Sequence, residues 1–239
     1  MPSNSSQRLV IRLQGIVVLA AFLLAPCIVQ AEETETDSAL WGGGVFYFET
    51  GKTFDFSAEY QIRMDDHMSS LSSQFGEFLG HYKAADNLLL NGGYRFTRRP
   101  GRSEHRIYLG GFWSLTGNPL LEGSDPKQLR AVLQIGYQHD FDVMFDDRLM
   151  DSDSIRYILV VSKPATATLT PFLLAGVLTT WNDAYDFGID KIRLGGGVVF
   201  RLTENSRLRS QYIWEEFRFR TPVKHTNIIW LRYEGKFGG

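Results

Sequence analysis

The sequence predicts an all-β protein: a closed antiparallel transmembrane β-barrel of ten to twelve strands, with twelve preferred, preceded by a cleaved signal peptide. Three observations predict this fold. Apolar and polar residues alternate with a period of two, short and long connections alternate along the chain, and one face of the strands is rich in arginine. Together they favour a barrel with an apolar exterior and a charged interior.

Residues 53–64, "TFDFSAEYQIRM", show the alternation most clearly. Every second residue from Phe54 to Met64 is apolar, and every residue between them, from Asp55 to Arg63, is polar. Side chains of a β-strand point alternately to the two faces of a sheet. This stretch is therefore predicted to be a strand with one apolar and one polar face.

Similar segments follow one another from residue 40 onward, with no amphipathic helix of useful length between them. Each is close to the length that a tilted membrane strand needs. The eleven candidate strands are 40–50, 53–64, 74–84, 87–97, 104–116, 128–142, 154–163, 169–182, 188–203, 206–219 and 225–237.

Two kinds of connection alternate between these strands. Short ones lie at 51–52, 85–86 and 204–205, with a modest one around Pro164. Long polar ones lie at 65–73, 98–103, 143–153, 183–187 and 221–224, while 117–127 is a long member of the short set. Outer-membrane barrels show this asymmetry, with short periplasmic turns and long external loops.

The odd strand count conflicts with the even number that single-chain bacterial barrels have. We prefer a twelfth strand or a miscount as the explanation. The alternative hypothesis is that the acidic leader, residues 32–39, returns through the barrel and complements its arginines. Eight residues at about 3.3 Å each span about 26 Å, close to the height of an apolar membrane belt.

The first 31 residues are predicted to be a secretory signal peptide. Arg8 and Arg12 form a positive region, residues 15–25 form an apolar core, and Ala31 ends a signal-peptidase site. The only cysteine, Cys27, lies in this segment, so the mature chain has no disulfide. The predicted organisation is signal peptide 1–31, leader 32–39 and transmembrane barrel 40–239, exported to the outer membrane of a Gram-negative cell.

The polar face of the predicted strands carries many charged residues. Arginine suits a water-filled or hydrogen-bonded interior, where guanidinium groups pair with carboxylates and carbonyls. We expect these residues to line the interior and to form an anion-binding surface: Glu59, Arg63, Arg95, Glu104, His105, Arg106, Arg130, Arg156, Arg193, Arg201, Arg207, Arg209, Glu215 and Arg232.

Alternation alone does not orient the sheet, because a soluble lipocalin-like barrel has the same period with its apolar face inward. An interior enclosed by eleven strands would be too wide for apolar side chains to fill. Aromatic residues near strand ends, Trp41, Trp181, Trp214 and Phe219, fit an interfacial girdle. The apolar face is therefore predicted to meet lipid.

Three segments resemble a proteobacterial outer-membrane barrel family known only as a domain of unknown function. They are "SEHRIYLGGF" at 103–112, "LTPFLLAG" at 169–176 and "KIRLGGGVVFRLTENSRLRSQYIW" at 191–214. The opening "LWGGG" and the Glu-His-Arg triplet at 104–106 are similar to family features as well. The resemblance spans essentially the whole mature chain and implies an outer-membrane barrel without an established activity.

The predicted function is non-enzymatic: a narrow pore that favours anions, or a structural envelope barrel. The alternatives are an enzyme that modifies outer-membrane lipid and a soluble periplasmic ligand-binding barrel. An enzyme would need a histidine, a serine and an acid at one rim, and the five histidines do not supply that set. We predict no catalytic residue, no metal site and no cofactor.

The expected partners are outer-membrane lipid, lipopolysaccharide and the barrel assembly machinery. The basic segment 98–106, "RRPGRSEHR", could meet lipopolysaccharide phosphates. The last strand, "IIWLRYEGKF", resembles the C-terminal assembly signal of such barrels, which usually ends in an aromatic residue. A net charge of −2 and an export signal exclude nucleic acid as an expected partner. The sequence does not determine the oligomeric state.

Overall fold

A computed structural model describes residues 34–51, 53–116, 128–145, 148–181, 187–218 and 223–238. For Thr34 and for residues 142–145 and 148–150 it describes the backbone alone. The predicted signal peptide, the connection 117–127 and Phe219 lie outside the described residues. Within these ranges, no helix is long and apolar enough to cross a membrane.

The described residues form eleven β-strands. They are β1 (Thr34–Glu49), β2 (Phe54–Asp65), β3 (Ser70–Ala85), β4 (Leu88–Arg99), β5 (Arg102–Ser114), β6 (Arg130–Phe145), β7 (Arg148–Ser162), β8 (Leu169–Trp181), β9 (Gly188–Thr203), β10 (Ser206–Phe217) and β11 (Val223–Phe237). Each strand pairs with its sequence neighbours, and β1 pairs with β11 to close the barrel. The predicted all-β closed barrel is confirmed.

The closing seam is parallel, whereas all other neighbouring strands are antiparallel. An odd number of strands places the first and last strand in the same direction, so a barrel of eleven can close only in this way. The described strands therefore number eleven instead of the preferred twelve. The parity conflict is resolved by the parallel pairing of β1 with β11.

The leader does not return through the barrel where the structure describes it. Residues 34–39 form the first part of β1 and pair in register with 223–228 of β11. The barrel wall thus begins at Thr34, six residues before the predicted start at residue 40. The hypothesis that the leader returns through the barrel is wrong for residues 34–39, because their backbone groups pair with β11 in the barrel wall.

The two ends of the barrel are named by their connections. At the loop end lie the connections that follow β2, β4, β6, β8 and β10, together with the start of β1; at the turn end lie the other connections and the end of β11. Two predicted long loops are shorter than expected. The strand β6 extends to Phe145 and β7 begins at Arg148, while β4 and β5 are separated by two residues only. The residues predicted as loops continue the strand pairing instead.

The outer face of the barrel is apolar. Tyr60 and Leu231 are 50% and 44% exposed, whereas the side chains of Arg95 and Arg193 are 12% and 24% exposed. Large apolar side chains exposed on the outer face include Phe46, Phe54, Ile62, Phe78, Leu90, Ile107, Leu109, Trp113, Ile135, Leu173, Phe200, Leu208, Ile229 and Phe237. We call this surface the apolar belt; on β1 it begins at Leu40, after the polar outward residues Thr36 and Ser38.

Four outward tyrosines mark the loop-end margin of the apolar belt. Each lies on a strand that runs toward the loop end, and its hydroxyl bonds a polar side chain on the next strand around the barrel, two residues closer to the loops. The pairs are Tyr60 with Gln74, Tyr94 with His105, Tyr137 with Asp153, and Tyr212 with Asn227. In each case the pairing register places the partner diagonally opposite the tyrosine. Hydrogen-bonding groups therefore begin at one level on the outer face.

A small apolar cluster lies on the inner face beside the seam. Ala39, Trp41, Ile213 and Ile228 are buried there, with Trp230 packed against them. The Trp41 and Trp230 rings meet edge to face with centroids 5.7 Å apart. The prediction of Trp41 as a girdle residue was wrong, since its position in β1 directs it inward. Trp214 lies on the outer face, against His225.

Candidate functional site

The candidate site is a group of arginines on the inner face, which we call the central arginine cluster. It consists of Arg63 on β2, Arg95 on β4, Arg106 on β5, Arg156 on β7 and Arg193 on β9. These guanidinium groups are close enough to repel one another electrostatically across the interior. Alternation puts one cluster member on each of five strands, which bring them together only when the barrel closes.

Thirteen of the fourteen predicted interior residues share the inner face by strand alternation. Arg201 is exposed at the turn end. The exception is His105, which lies on the outer face, bonded to Tyr94 and with its ring 5.3 Å from that of Phe96. Placing His105 beside Glu104 and Arg106 was therefore wrong, because adjacent residues of a strand point to opposite faces.

Three arginines of the cluster have carboxylate partners on a neighbouring strand. Arg95 binds Glu77 at 2.7 Å. Arg106 pairs with Asp140 and donates to Gln138 at 2.9 Å. Arg193 pairs with Glu215. Each pair is partly or largely withdrawn from solvent, so both charges persist by mutual neutralisation.

Arg63 and Arg156 have no such partner: no carboxylate of the described residues lies within ion-pair distance of either guanidinium. Arg63 instead lies 4.2 Å from the ring centroid of Trp41 and 5.0 Å from that of Phe75. With its amide oxygen turned toward Arg63, Gln61 accepts from Nε at 3.2 Å. Aromatic faces and an amide stabilise the cation without neutralising it.

Arg156 is also held without a carboxylate partner. Its guanidinium lies 5.2 Å from the centroid of the Tyr108 ring, and its buried Nε has no hydrogen-bond partner in the described part of the chain. The central cluster therefore contains five cations and three paired carboxylates. Such an arrangement leaves a positive potential in the interior.

A second set of charges, the seam network, lies next to the β1–β11 seam and is balanced. It consists of Glu59, Arg209, Arg232 and Glu234. Arg232 binds Glu234 at 2.8 Å and reaches across β1 to Glu59 at 3.8 Å, while Arg209 binds Glu234 at 3.0 Å. With two cations and two carboxylates, this network closes the seam electrostatically and leaves no excess charge.

Gly43 allows Arg232 of β11 to reach across β1 to Glu59 of β2. It is the β1 residue that pairs with both Gln61 and Arg232, and it has no side chain to separate the neighbouring strands. A Cβ at this position would lie 2.2 Å from the backbone oxygen of Tyr60 and 2.9 Å from the Cα of Gln61. The close approach of β1 to β2 therefore requires glycine here.

A serine–histidine pair that the sequence analysis did not detect lies elsewhere on the inner face. Ser57 Oγ and His81 Nε2 are hydrogen-bonded at 2.8 Å, and both residues are buried. His81 Nδ1 and both amide atoms of the register partner Asn91 are buried without partners among the described residues. The two residues of the pair are 24 positions apart on different strands, so no local sequence motif predicts that they meet.

A second histidine cluster lies on the outer face near the loop end. His139 Nδ1 is 2.9 Å from Asp153 Oδ1, which also accepts from Tyr137. No serine is hydrogen-bonded to His139 in the described ranges, so this cluster lacks a nucleophile. The described residues also contain no group of His, Cys, Asp or Glu able to hold a metal ion.

Comparison with known proteins places the chain in a family. Residues 39–227 match the family described as "Protein of unknown function (DUF2490)", and the chain belongs to it. No sequence among the curated proteins matches. One similar solved structure is described as "Bacterial polysaccharide outer membrane secretin", with 12% identity and a TM-score of 0.49. The match covers 72% of this chain and 61% of that chain, so the chain spans less than two thirds of its length.

Proposed function

We propose that this barrel resides in the outer membrane of Gram-negative bacteria, is non-enzymatic, and binds small anions in its interior and lets them pass. The observation that carries the proposal is the uncompensated charge of Arg63 and Arg156 within the central arginine cluster. A fixed positive potential raises the local concentration of anions and lowers that of cations. Selectivity would thus arise from charge and not from a shaped ligand pocket.

The side-chain arrangement supports that mechanism. An interior needed only for stability would pair each arginine with a carboxylate, as the seam network does. Arg63 is held by Trp41 and Phe75, and Arg156 by Tyr108, so both cations are fixed without being neutralised.

The apolar belt supports the proposed location. Apolar residues on the outer face would be unfavourable in water, at about 25 cal/mol for each Å² exposed. The belt on β11 runs from Ile229 to Phe237, nine residues, which at about 3.3 Å each and a tilt near 40° gives a height of about 20–25 Å. The tyrosines at its margin match the interfacial position that this side chain prefers.

The same arrangement argues against a soluble periplasmic binding barrel. Such a barrel encloses an apolar cavity and presents polar residues to water. The described strands have apolar residues outside and most of their charged residues inside.

Reconstitution in planar bilayers tests the proposal. Purified protein in a potassium chloride gradient is expected to give discrete conductance steps. The reversal potential should be shifted from zero toward the equilibrium potential of chloride. A cation-selective reversal potential would contradict the role of the arginines. Insertion without conductance would leave the structural envelope barrel as the function, with the passage closed by the interior arginines and their carboxylate partners.

A second candidate function, hydrolysis of an ester, is favoured by the Ser57–His81 pair. In that reaction Ser57 Oγ would attack the ester carbonyl while its proton passes to His81 Nε2; the alcohol leaves with that proton, and water then releases the acid. We rank it second because, among the residues that the structure describes, no carboxylate is hydrogen-bonded to His81 Nδ1 to orient the ring. Labelling by a fluorophosphonate probe that S57A abolishes would support hydrolysis, and no labelling of the folded protein would exclude it.

A further inference from the structure

We propose that the β4–β5 hairpin at the loop end binds the phosphate of a lipid headgroup, with the acyl chains of that lipid lying against the barrel wall. The inference rests on the proposed outer-membrane location and adds a partner to it. A phosphorylated glycolipid of the lipopolysaccharide class has the required chemistry. The site lies at the tip of the hairpin, where Arg98 and Ser103 face outward and Arg102 lies inward over Glu104, and no member of the central arginine cluster lines it.

The hairpin forms an open cleft of about 370 Å³. Its lining residues are Phe96, Arg98, Arg99, Gly101, Arg102 and Ser103. Gly101 has a φ of +77°, which lets the chain turn in two residues between the strands and brings Arg99 and Arg102 into register. A tight turn thus concentrates three arginines and a serine hydroxyl around one concave surface.

The cleft has an excess of positive charge. Arg99 and Arg102 both bind the same oxygen of Glu104, at 2.7 and 2.9 Å, and Glu104 itself is buried below the cleft. One carboxylate therefore holds two arginines in place and neutralises only one. Arg98 is exposed on the outer face, opposite Ser103. Three cations against one carboxylate leave a site for about two negative charges, as on a phosphate monoester.

The apolar surface below the cleft indicates that the anion belongs to a lipid. Phe96 lines the cleft, and the outward side chains that continue toward the turn end are Tyr94, Ile107 and Leu109, all exposed in the apolar belt. His105 packs between Tyr94 and Phe96 and fixes both rings. A free phosphate would use the arginines alone, whereas an amphiphilic lipid would use the arginines and the wall together.

Binding of lipid A to the purified full-length protein in detergent micelles tests the proposal. The comparison includes lipid A, dephosphorylated lipid A and inorganic phosphate, added to the wild-type protein and to the double variant R98A/R102A. We expect the double variant to bind lipid A about tenfold or more weakly, because two charge-assisted hydrogen-bonding groups are lost. Dephosphorylated lipid A should bind the wild-type protein with a similar loss.

The matched control is R201A, which removes an exposed arginine at the turn end and should leave lipid A binding unchanged. Equal binding by wild type and R98A/R102A would overturn the proposal, as would equal binding of dephosphorylated lipid A. Complete competition by millimolar inorganic phosphate would show a site for free phosphate instead of lipid. Heat-modifiable migration on gels checks that each variant is folded. Membrane fractionation tests the location separately, since this binding assay does not depend on where the protein resides.

Discussion

The guanidinium of Arg63 lies 4.2 Å from the ring centroid of Trp41 on the inner face of the barrel. The two residues come from neighbouring strands and are register partners in the β1–β2 pair. Cation–π contacts withdrawn from water contribute about 2 kcal/mol, and they leave the net charge of the arginine in place. The contact therefore stabilises the arginine while its field remains available to anions.

Loss of this charge should reduce anion selectivity. In R63Q/R156Q, two cations that no described carboxylate neutralises are removed, so the reversal potential in a chloride gradient should move toward zero. The matched control R98Q removes one arginine from the outer wall and should keep the wild-type reversal potential. Unchanged selectivity in R63Q/R156Q, with normal insertion, would contradict the proposed role of the cluster.

Alanine at position 43 should weaken the barrel at its seam. The new Cβ would clash with the backbone of β2, and overpacking of this kind costs about 1–3 kcal/mol. The temperature at which the folded band disappears on gels should fall for G43A. G42A is a matched control, because a Cβ at Gly42 meets nothing within 4 Å. Equal stability of the two variants would show that β1 and β2 are not held this closely.

A charge placed in the apolar belt should destabilise the protein in lipid. Leu231 is exposed near the middle of the belt, and an arginine at such a depth costs about 2–4 kcal/mol. Urea unfolding in vesicles should show this loss for L231R. V223R, on the same strand and face but at the loop end, should cost about 0–1 kcal/mol. Similar costs at both positions would place the bilayer elsewhere on the barrel.

Asp37 should give the loop end a dependence on acid pH. It lies on β1 before the first belt residue, Leu40, and holds the β2–β3 turn by accepting from the backbone N–H of His67 at 2.9 Å. Burial acts to raise the pKa of Asp37, but hydrogen bonds from His67 and Ser38 and the ion pair with Lys224 outweigh it and lower the pKa to about 2. Because the pKa in the folded state is depressed, the stabilisation is present above pH 4 and disappears as the pH falls toward 2.

The variant D37N should therefore be less stable than wild type at pH 6, and the difference should shrink between pH 4 and pH 2. Proteolysis at the β2–β3 turn reports this directly, since the turn residues Asp66, His67 and Met68 have positive φ and depend on external support. D86N, an exposed acid at a turn-end connection, serves as the control. A constant difference at all pH values would exclude titration of Asp37 as the cause.

Most strand positions could be predicted from local alternation. The candidate at 188–203 coincides with β9, and 53–64 differs from β2 by one residue at each end. The largest misses are the first parts of β1 and of β7, which begin six residues before the predicted strands. Residues 34–38 are all polar, and residues 148–153 mix polar and apolar residues without a period of two, so the alternation that identifies a strand is absent although the backbone pairing continues.

The candidate site could be predicted only as a list of charges. Alternation assigned Arg63 and Arg95 to one face, but it contained no information on which carboxylate each would meet. Glu77, the partner of Arg95, was absent from the predicted set, and so were Trp41 and Phe75, which hold Arg63. His105 was assigned to the wrong face because Glu104, His105 and Arg106 were taken together as one group. Consecutive residues of a strand point to opposite faces, so His105 lies outside while its two neighbours lie inside.

The sequence by itself determined that every strand has an apolar and a polar face, because side-chain direction in a strand depends only on the parity of the residue number. The tertiary structure decided how eleven strands close, through a parallel seam that places 34–39 in the wall. It also decided which charges remain uncompensated. Ion pairing and ring contacts join residues on different strands, so they depend on register and closure, which no local pattern encodes.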